Sequence, residues 1–271
     1  MTMGNLYSIY LQHPSVQTDT RKLQKGDLYF ALKGPNFNGN SFAQKAIEQG
    51  AAYAIIDEAD HAIEGKTILV EDVLTTLQQL ARHHRRQFNI PFLAITGSNG
   101  KTTTKELIHA VLSTTFQTYT TEGNLNNHIG VPLTILKIKS DAEMAVIEMG
   151  ANHQKEIASY CVIALPTHGL ITNVGKAHLE GFGGEEGVRK GKGELFDFIR
   201  DNSGTIFRMA DYDYLAEMSQ GITNVFTYGT RKGDVIGTVV QSDPFLNVDF
   251  TKGISGEVNT SLVGAYNLPN M

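Results

Sequence analysis

Cysteine is nearly missing from this chain. Cys161 is the single one in 271 residues, which excludes a disulfide framework and a cysteine-built metal site. No apolar run approaches the roughly 20 residues of a membrane-spanning helix, so no membrane insertion is expected. Basic blocks are missing as well. Lysine and arginine number 23 against 28 acidic residues, for a formal charge of -5, and this balance gives no reason to expect a nucleic-acid partner. Met1 to Leu11 has neither a basic segment nor a long apolar stretch, so it is not expected to act as a secretion signal. A reducing, cytoplasmic setting is the resulting expectation. Repeats and low-complexity tracts are absent too. The length suits one large or two modest domains, each with its own core.

Against these absences stands Thr96-Gly97-Ser98-Asn99-Gly100-Lys101-Thr102-Thr103-Thr104. It follows the apolar run Phe92 to Ile95 and precedes the helix-forming stretch Lys105 to Ala110. Strand, glycine-rich turn and helix in that order aim backbone N–H groups and the positive end of a helix at an anion. Lys101 is placed to reach the outer phosphates of a nucleoside triphosphate, and Thr102 to offer its hydroxyl to Mg²⁺. Ile95 stands where the common pattern has its first glycine, so the loop is a variant.

Around this loop the chain reads as α/β. Strands are expected at 27–32, 51–56 and 67–70, with helices at 41–49 and 73–88. They make a small N-terminal α/β domain over residues 1–88. Asn89-Ile90-Pro91 reads as a linker. A P-loop NTPase-like central domain follows over 89–271. It has expected strands at 92–95, 144–147, 162–165 and 169–172, and helices after Gly150 and over 188–199. Alternation of this kind argues a mainly parallel sheet with ligands beyond the strand C-termini. From Val225 onward short β-rich pieces appear. The closing Asn267-Leu268-Pro269-Asn270-Met271 reads as the opening of a further helix, so the chain is expected to be a fragment, incomplete at its C-terminus.

Several polar stretches fall at expected strand ends. Glu148 closes an apolar strand on the side where the phosphate loop opens, suited to Mg²⁺ or to capping a turn. Thr172 to His178 supplies a hydroxyl, an amide, a cation and an imidazole at a second strand end. His178 there suits a metal or a phosphate oxygen, although a lone histidine says little. Asn124, Asn126, Asn127 and His128 precede Gly130-Val131-Pro132 and read as a loop holding polar substrate atoms, or as an asparagine-rich surface turn. Lys190, Lys192 and Glu194 lie on a helix whose Gly191 and Gly193 limit crowding; Lys190 reads equally well as solvated surface.

Taken together these stretches resemble the Mur ligases of peptidoglycan synthesis. The match is carried by Asp19-Thr20-Arg21, Lys25 to Gly34, Asn38 to Phe42, Thr96 to Thr104, Asn124 to Thr134, Glu148 to Asn152, Ile171 to His178 and Gly191 to Glu194. Within the family the first and third stretches favour the member that joins D-alanyl-D-alanine to UDP-N-acetylmuramoyl-tripeptide. The resemblance implies an ATP- and Mg²⁺-dependent acid–amino-acid ligase working through an acyl phosphate. Alternatives are the relative that adds the third peptide residue, the folylpolyglutamate enzyme, which the Asp27 to Gly34 stretch disfavours, and a nucleotide-binding ATPase or binding module without ligation.

Residue roles implied by the resemblance follow its motifs. Gly97, Ser98, Asn99, Gly100, Lys101, Thr102, Thr103 and Asn267 would hold the nucleotide. Thr102, Glu148, His178 and Lys192 would hold metal, Lys192 after carbamylation. Lys101, Asn126, His178 and Lys192 would be catalytic. Asp19, Thr20, Arg21, Asn38 and Gly39 would lie toward the UDP end, and Thr120, Asn126 and Asn127 near the substrate carboxylate. A third domain that helps bind the amine would lie beyond Met271, so this chain alone is expected to be inactive, and the full-length protein a monomer. Two positions depart from the family pattern: Tyr266 stands where histidine is usual, and Lys155 where glycine is usual.

Overall fold

Residues 1–175 and 179–271 are described by the computed structural model, apart from the side chain of Leu179. Two compact units divide them: Met1–Asn89 with His128–Ser140, and Ile90–Asn127 with Asp141–Met271. A single cut between residues 88 and 89 therefore omits one segment, 128–140, which packs with the N-terminal unit.

In the first unit the chain runs α1 (Met3–Gln12), β1 (Val16–Gln17), β2 (Leu28–Phe30), β3 (Lys33–Gly34), β4 (Phe37–Asn38), α2 (Ala43–Glu48), β5 (Tyr53–Ile56), β6 (Thr67–Leu69) and α3 (Val73–Arg85). β1, β2, β5 and β6 form a parallel sheet in that order, and β3 and β4 a separate ribbon. Ala43 and Ala46 present almost no side chain, so α2 settles closely on Tyr29, Ala54 and Ile56. Asp72 caps α3 by accepting the Thr75 N–H at 2.7 Å. Leu77, Leu80, Ala81 and His84 are buried along α3 at the three- and four-residue spacing of one helix face.

The second unit opens with β7 (Phe92–Thr96), α4 (Lys101–Leu112) and β8 (Thr118–Thr120). The chain then gives α5 (Gly130–Leu136) to the first unit. There the Tyr10 hydroxyl donates to the Leu136 carbonyl at 2.6 Å, and His84 Nε2 lies 2.8 Å from the Ile138 carbonyl. Back in the second unit come β9 (Met144–Glu148), α6 (Glu156–Ala164), β10 (His168–Ile171), α7 (Leu179–Phe182), α8 (Glu185–Asp201), β11 (Thr205–Met209), α9 (Asp213–Met218), β12 (Asn224–Gly229), β13 (Val235–Gln241), β14 (Asn247–Lys252) and β15 (Gly256–Asn259). They build a sheet of order β15-β14-β13-β12-β11-β10-β7-β9-β8. Pairing is parallel from β8 to β13 and antiparallel through β14 and β15. Ile95, Val146 and Leu170 form a core on three adjacent strands.

Register decides where the site falls. Ile95 pairs with Glu148, and Thr96 with Ile171. The C-terminal ends of β7, β9 and β10 are therefore level, and the loops after them open on one edge. The architecture is α/β with mixed, mainly parallel strands, as the alternating pattern implies.

One expected strand is overturned. Residues 162–165 are the last turn and cap of α6, not a strand. Ile157, Tyr160, Cys161 and Ala164 are buried at helical spacing while Val162 is exposed, and a short apolar run does not separate these states. Leu165, next to Pro166, leaves the helix in the left-handed region (φ 43°). The closing segment forms a 3-10 helix, Ala265–Asn270. Among the described residues no helix is long and apolar enough to cross a membrane.

Candidate functional site

Between β7 and α4 the loop Gly97 to Gly100 curls around its own lysine. Lys101 Nζ donates to the carbonyls of Gly97 at 2.9 Å and Ser98 at 3.3 Å. Burial pulls its pKa down, and the nearby Glu148 charge opposes that. Gly97 (φ 147°) sits so close to the next strand end that a Cβ would lie 2.0 Å from Thr172 Oγ1. Gly100 adopts φ 80° where α4 begins. Both glycines are therefore required by backbone geometry.

Thr172 and Asn173 do not point free polar groups into an open crevice; they hold this loop. Thr172 Oγ1 donates to the Asn99 carbonyl at 2.6 Å, and Asn173 both accepts the Asn99 N–H at 3.1 Å and donates to the Asn99 carbonyl at 3.0 Å. Ser98 Oγ completes the strap by accepting the Gly175 N–H at 2.8 Å. Such a loop is pre-shaped, so little ordering cost remains when an anion binds.

Glu148 is 1% exposed. A carboxylate that deep needs donors, and two side chains provide them while a third residue fixes its backbone. Thr102 Oγ1 donates to one oxygen at 3.0 Å, Asn126 Nδ2 to the other at 2.8 Å, and the Glu148 N–H is held by Thr121 Oγ1 at 2.9 Å. Asn126 is itself fixed, because its backbone carbonyl accepts the Gly150 N–H at 2.8 Å and its side-chain amide fills the space a Cβ on Gly150 would need. Thr120, expected near this site, instead donates its hydroxyl to the Val146 carbonyl at 3.2 Å. Thr121 is the threonine in contact. No spacing rule separates those two neighbours, since only the register of β8 against β9 does. Thr103 is half-buried on the first turn of α4, and Asn127 is exposed. His178 lies outside the described residues, as does Lys176.

Lys192 is 2% exposed on α8, with Nζ donating to the Ala151 carbonyl at 3.2 Å and lying 5.2 Å from the Phe182 ring centroid. Burial first, then repulsion from Lys101, pulls its pKa to about 8, against the attraction of Glu156 and Glu194. Roughly a tenth of the amine is then neutral at pH 7, far more than for an ordinary lysine. Gly191 is needed here, since a Cβ would meet the Phe182 ring at 2.4 Å; Gly193 meets only an ordinary contact with Met218. Glu194 accepts the N–H groups of Lys155 and Ala158 and so ties the start of α6 to α8. Lys155 has φ 71°. Lys190 is exposed.

At the chain's last turn Asn267 is buried, and it donates to the Val263 carbonyl and accepts from Asn270, both at 3.0 Å. Asn270 in turn sits against Gly100 and Thr104 of the loop and helix. Tyr266 is 76% exposed.

In the first unit Asp19, Thr20 and Arg21 line one cavity of about 510 Å³ with Tyr29, Phe37, Phe42 and Lys45. Arg21 forks onto Asp19 at 2.7 Å and holds that carboxyl down at about 2. Phe37 stacks on Phe42 with centroids 5.3 Å apart. Asn38 and Gly39 are not among the residues lining it. Asn38 caps the turn after β4 and donates to Glu58 at 2.8 Å. Gly39 is pressed against the Leu32 carbonyl, 2.4 Å from where a Cβ would be.

Known proteins are similar to this chain in sequence and fold. Residues 95–271 match the Mur ligase middle domain, and residues 14–85 match the Mur ligase family, catalytic domain. The UDP-N-acetylmuramoyl-tripeptide–D-alanyl-D-alanine ligase of Bacillus subtilis (strain 168) is 37% identical over 262 residues, 94% of this chain and 56% of the relative. A crystal structure of MurF from Acinetobacter baumannii superposes with a TM-score of 0.85 at 33% identity, covering 94% of this chain and 57% of that one. The MurF ligase from Thermotoga maritima, solved in complex with ADP, gives 0.83 at 29% identity, with coverage of 96% and 61%. The chain spans about half the length of the curated relatives it matches. With its middle-domain match extending over most of the sequence and taking in the loop, Glu148 and Lys192, this chain belongs to the Mur ligase family.

Proposed function

We propose that this chain carries the nucleotide site of a cytoplasmic, monomeric ligase that uses ATP to join D-alanyl-D-alanine to UDP-N-acetylmuramoyl-tripeptide. The observation that carries this reading is the buried Glu148 carboxylate, clasped by Thr102 and Asn126 at the mouth of the strand–loop–helix unit. The names of the relatives supply the substrates, and the ADP complex of the Thermotoga maritima relative supports a nucleotide here. Residues 1–88, with the Asp19 to Arg21 cavity, would take the UDP end, and residues 89–271 the ATP, in a P-loop NTPase-like domain.

The reaction activates a carboxylate as an acyl phosphate, then lets the amine displace phosphate. The loop's N–H groups and the start of α4 favour the β- and γ-phosphates. Lys101, now on its own loop carbonyls, would exchange them for phosphoryl oxygens and offset charge as it develops. Asn126 would hold the acceptor carboxylate beside Glu148. A hydroxyl and a carboxylate are hard oxygen donors that suit Mg²⁺, which draws its remaining ligands from phosphate and water. Among the described residues no group of three or more His, Cys, Asp or Glu could hold a metal unaided. Bound Mg²⁺ supplies charge neutralisation at the transferring phosphoryl group. A carbamylated Lys192 would add a second anionic ligand, and its lowered pKa favours that modification.

The test is ADP release by the protein that carries this chain, given ATP, Mg²⁺, the muramoyl tripeptide and D-alanyl-D-alanine. Release sustained beyond one turnover should require both peptide substrates, and Lys101→Ala should lower it by about 100-fold. Sustained release that ignores the dipeptide would contradict the assignment.

A further inference from the structure

We infer that Lys105 is a positioning residue for the metal–nucleotide site, acting through Thr121 on Glu148; this inference rests on the reading above. Lys105 sits one turn after Thr102 on α4 and is completely buried. On sequence it is an ordinary charged residue of a helix. In the structure its ammonium donates to the Thr121 carbonyl at 2.6 Å and pairs with the half-exposed Glu106 at 2.8 Å. Sealing an ammonium inside a protein is costly, and a well-packed apolar side chain usually stabilises as much or more. The charge therefore calls for a role that an apolar residue would not fill.

Thr121 shows what that role is. Each of its polar groups joins a different part of the site. Its N–H continues the β8–β9 ladder to the Val146 carbonyl at 3.1 Å, its Oγ1 takes the Glu148 N–H, and its carbonyl takes Lys105. Five residues on, Asn126 reaches the Glu148 carboxylate. Lys105 is thus a strut from α4, which carries Thr102, to the segment that carries Asn126 and fixes the backbone of Glu148. It so braces the two segments between which Thr102 Oγ1 and Glu148 meet at 3.0 Å. An apolar residue would fill the space but leave the Thr121 carbonyl without this donor, so the two metal-facing oxygens would no longer be held in register.

Calorimetric titration of this chain with ATP, with and without Mg²⁺, separates positioning from bulk stability. The readout is the ratio of the two affinities, alongside thermal unfolding of each variant. Lys105→Met should bind Mg²⁺-free ATP within about threefold of the parent, because the loop is untouched. Its gain from Mg²⁺ should fall at least tenfold. An unchanged gain in a folded Lys105→Met protein would overturn the inference while leaving the nucleotide site standing. A parent chain with no Mg²⁺-dependent gain would overturn the reading of the site itself. Should Lys105→Met not fold, Lys105→Leu, which likewise removes the donor, carries the same comparison. If neither folds, the lysine is structural and the inference is wrong.

Discussion

Lys192 is a charge held at a cost to stability. Its pKa falls from 10.5 unfolded to about 8 folded. The unfolded chain thus holds more protons between about pH 8 and 10.5, and stability rises with pH across that window. Below it the lysine is charged in both states and the burial cost is constant. Lys192→Met in CO₂-free buffer should raise neutral-pH stability by about 1–2 kcal/mol, net of the lost bond to Ala151, and flatten the alkaline rise. Urea denaturation at pH 7 and 9.5 measures both effects. Lys155 is the converse case, a residue with a Cβ in the left-handed region. Lys155→Gly should stabilise by about 1 kcal/mol, read as a higher Tm with the Glu194 bonds intact. An unchanged or lower Tm would mean that the turn carries no strain.

At the scale of elements, the segment that links the Asn126 loop to β9 is anchored through a histidine. His84 lies between Tyr7, whose hydroxyl is 3.0 Å from Nδ1, and the Ile138 carbonyl at Nε2. One neutral tautomer, with its proton on Nε2, satisfies both partners. Burial lowers the His84 pKa. Its stabilising contribution is full above the unfolded value near 6.5, and is lost as pH falls from there through the folded value. The denaturation midpoint should therefore drop between pH 7.5 and 5.5, and His84→Gln should drop less. An equal drop in both proteins would place the acid sensitivity elsewhere. Elements also differ in how legible they were. The strand–loop–helix was readable because its apolar run, glycines and lysine all fall within one short stretch of sequence, Phe92 to Thr104. The end of α6 was not, because residues 162–165 satisfy strand and helix patterns alike until Pro166 and burial decide. Lys105 and Thr121 were not readable either. Their roles depend on a contact between α4 and the end of β8, which no local spacing encodes. The resemblance implies that Asn38 and Gly39 lie toward the UDP end; in the structure Asn38 caps the turn after β4 and Gly39 is pressed against the Leu32 carbonyl.

Considered as a whole, each unit presents its chemistry at one place. The first gathers Asp19 to Arg21 and a pair of stacked phenylalanines around a cavity. The second brings three level strand ends together, so that a loop from one, a carboxylate from another and a strap from the third meet. The central claim is that this meeting point takes a metal-bound nucleoside triphosphate. A crystal structure of this chain with Mg²⁺ and a non-hydrolysable ATP analogue tests it most directly. The account predicts the β- and γ-phosphates over the N–H groups of residues 98–102, Lys101 Nζ moved from the Gly97 carbonyl to phosphate, and the metal between Thr102 Oγ1 and the Glu148 carboxylate. A nucleotide bound elsewhere, or a metal held away from Glu148, would contradict it.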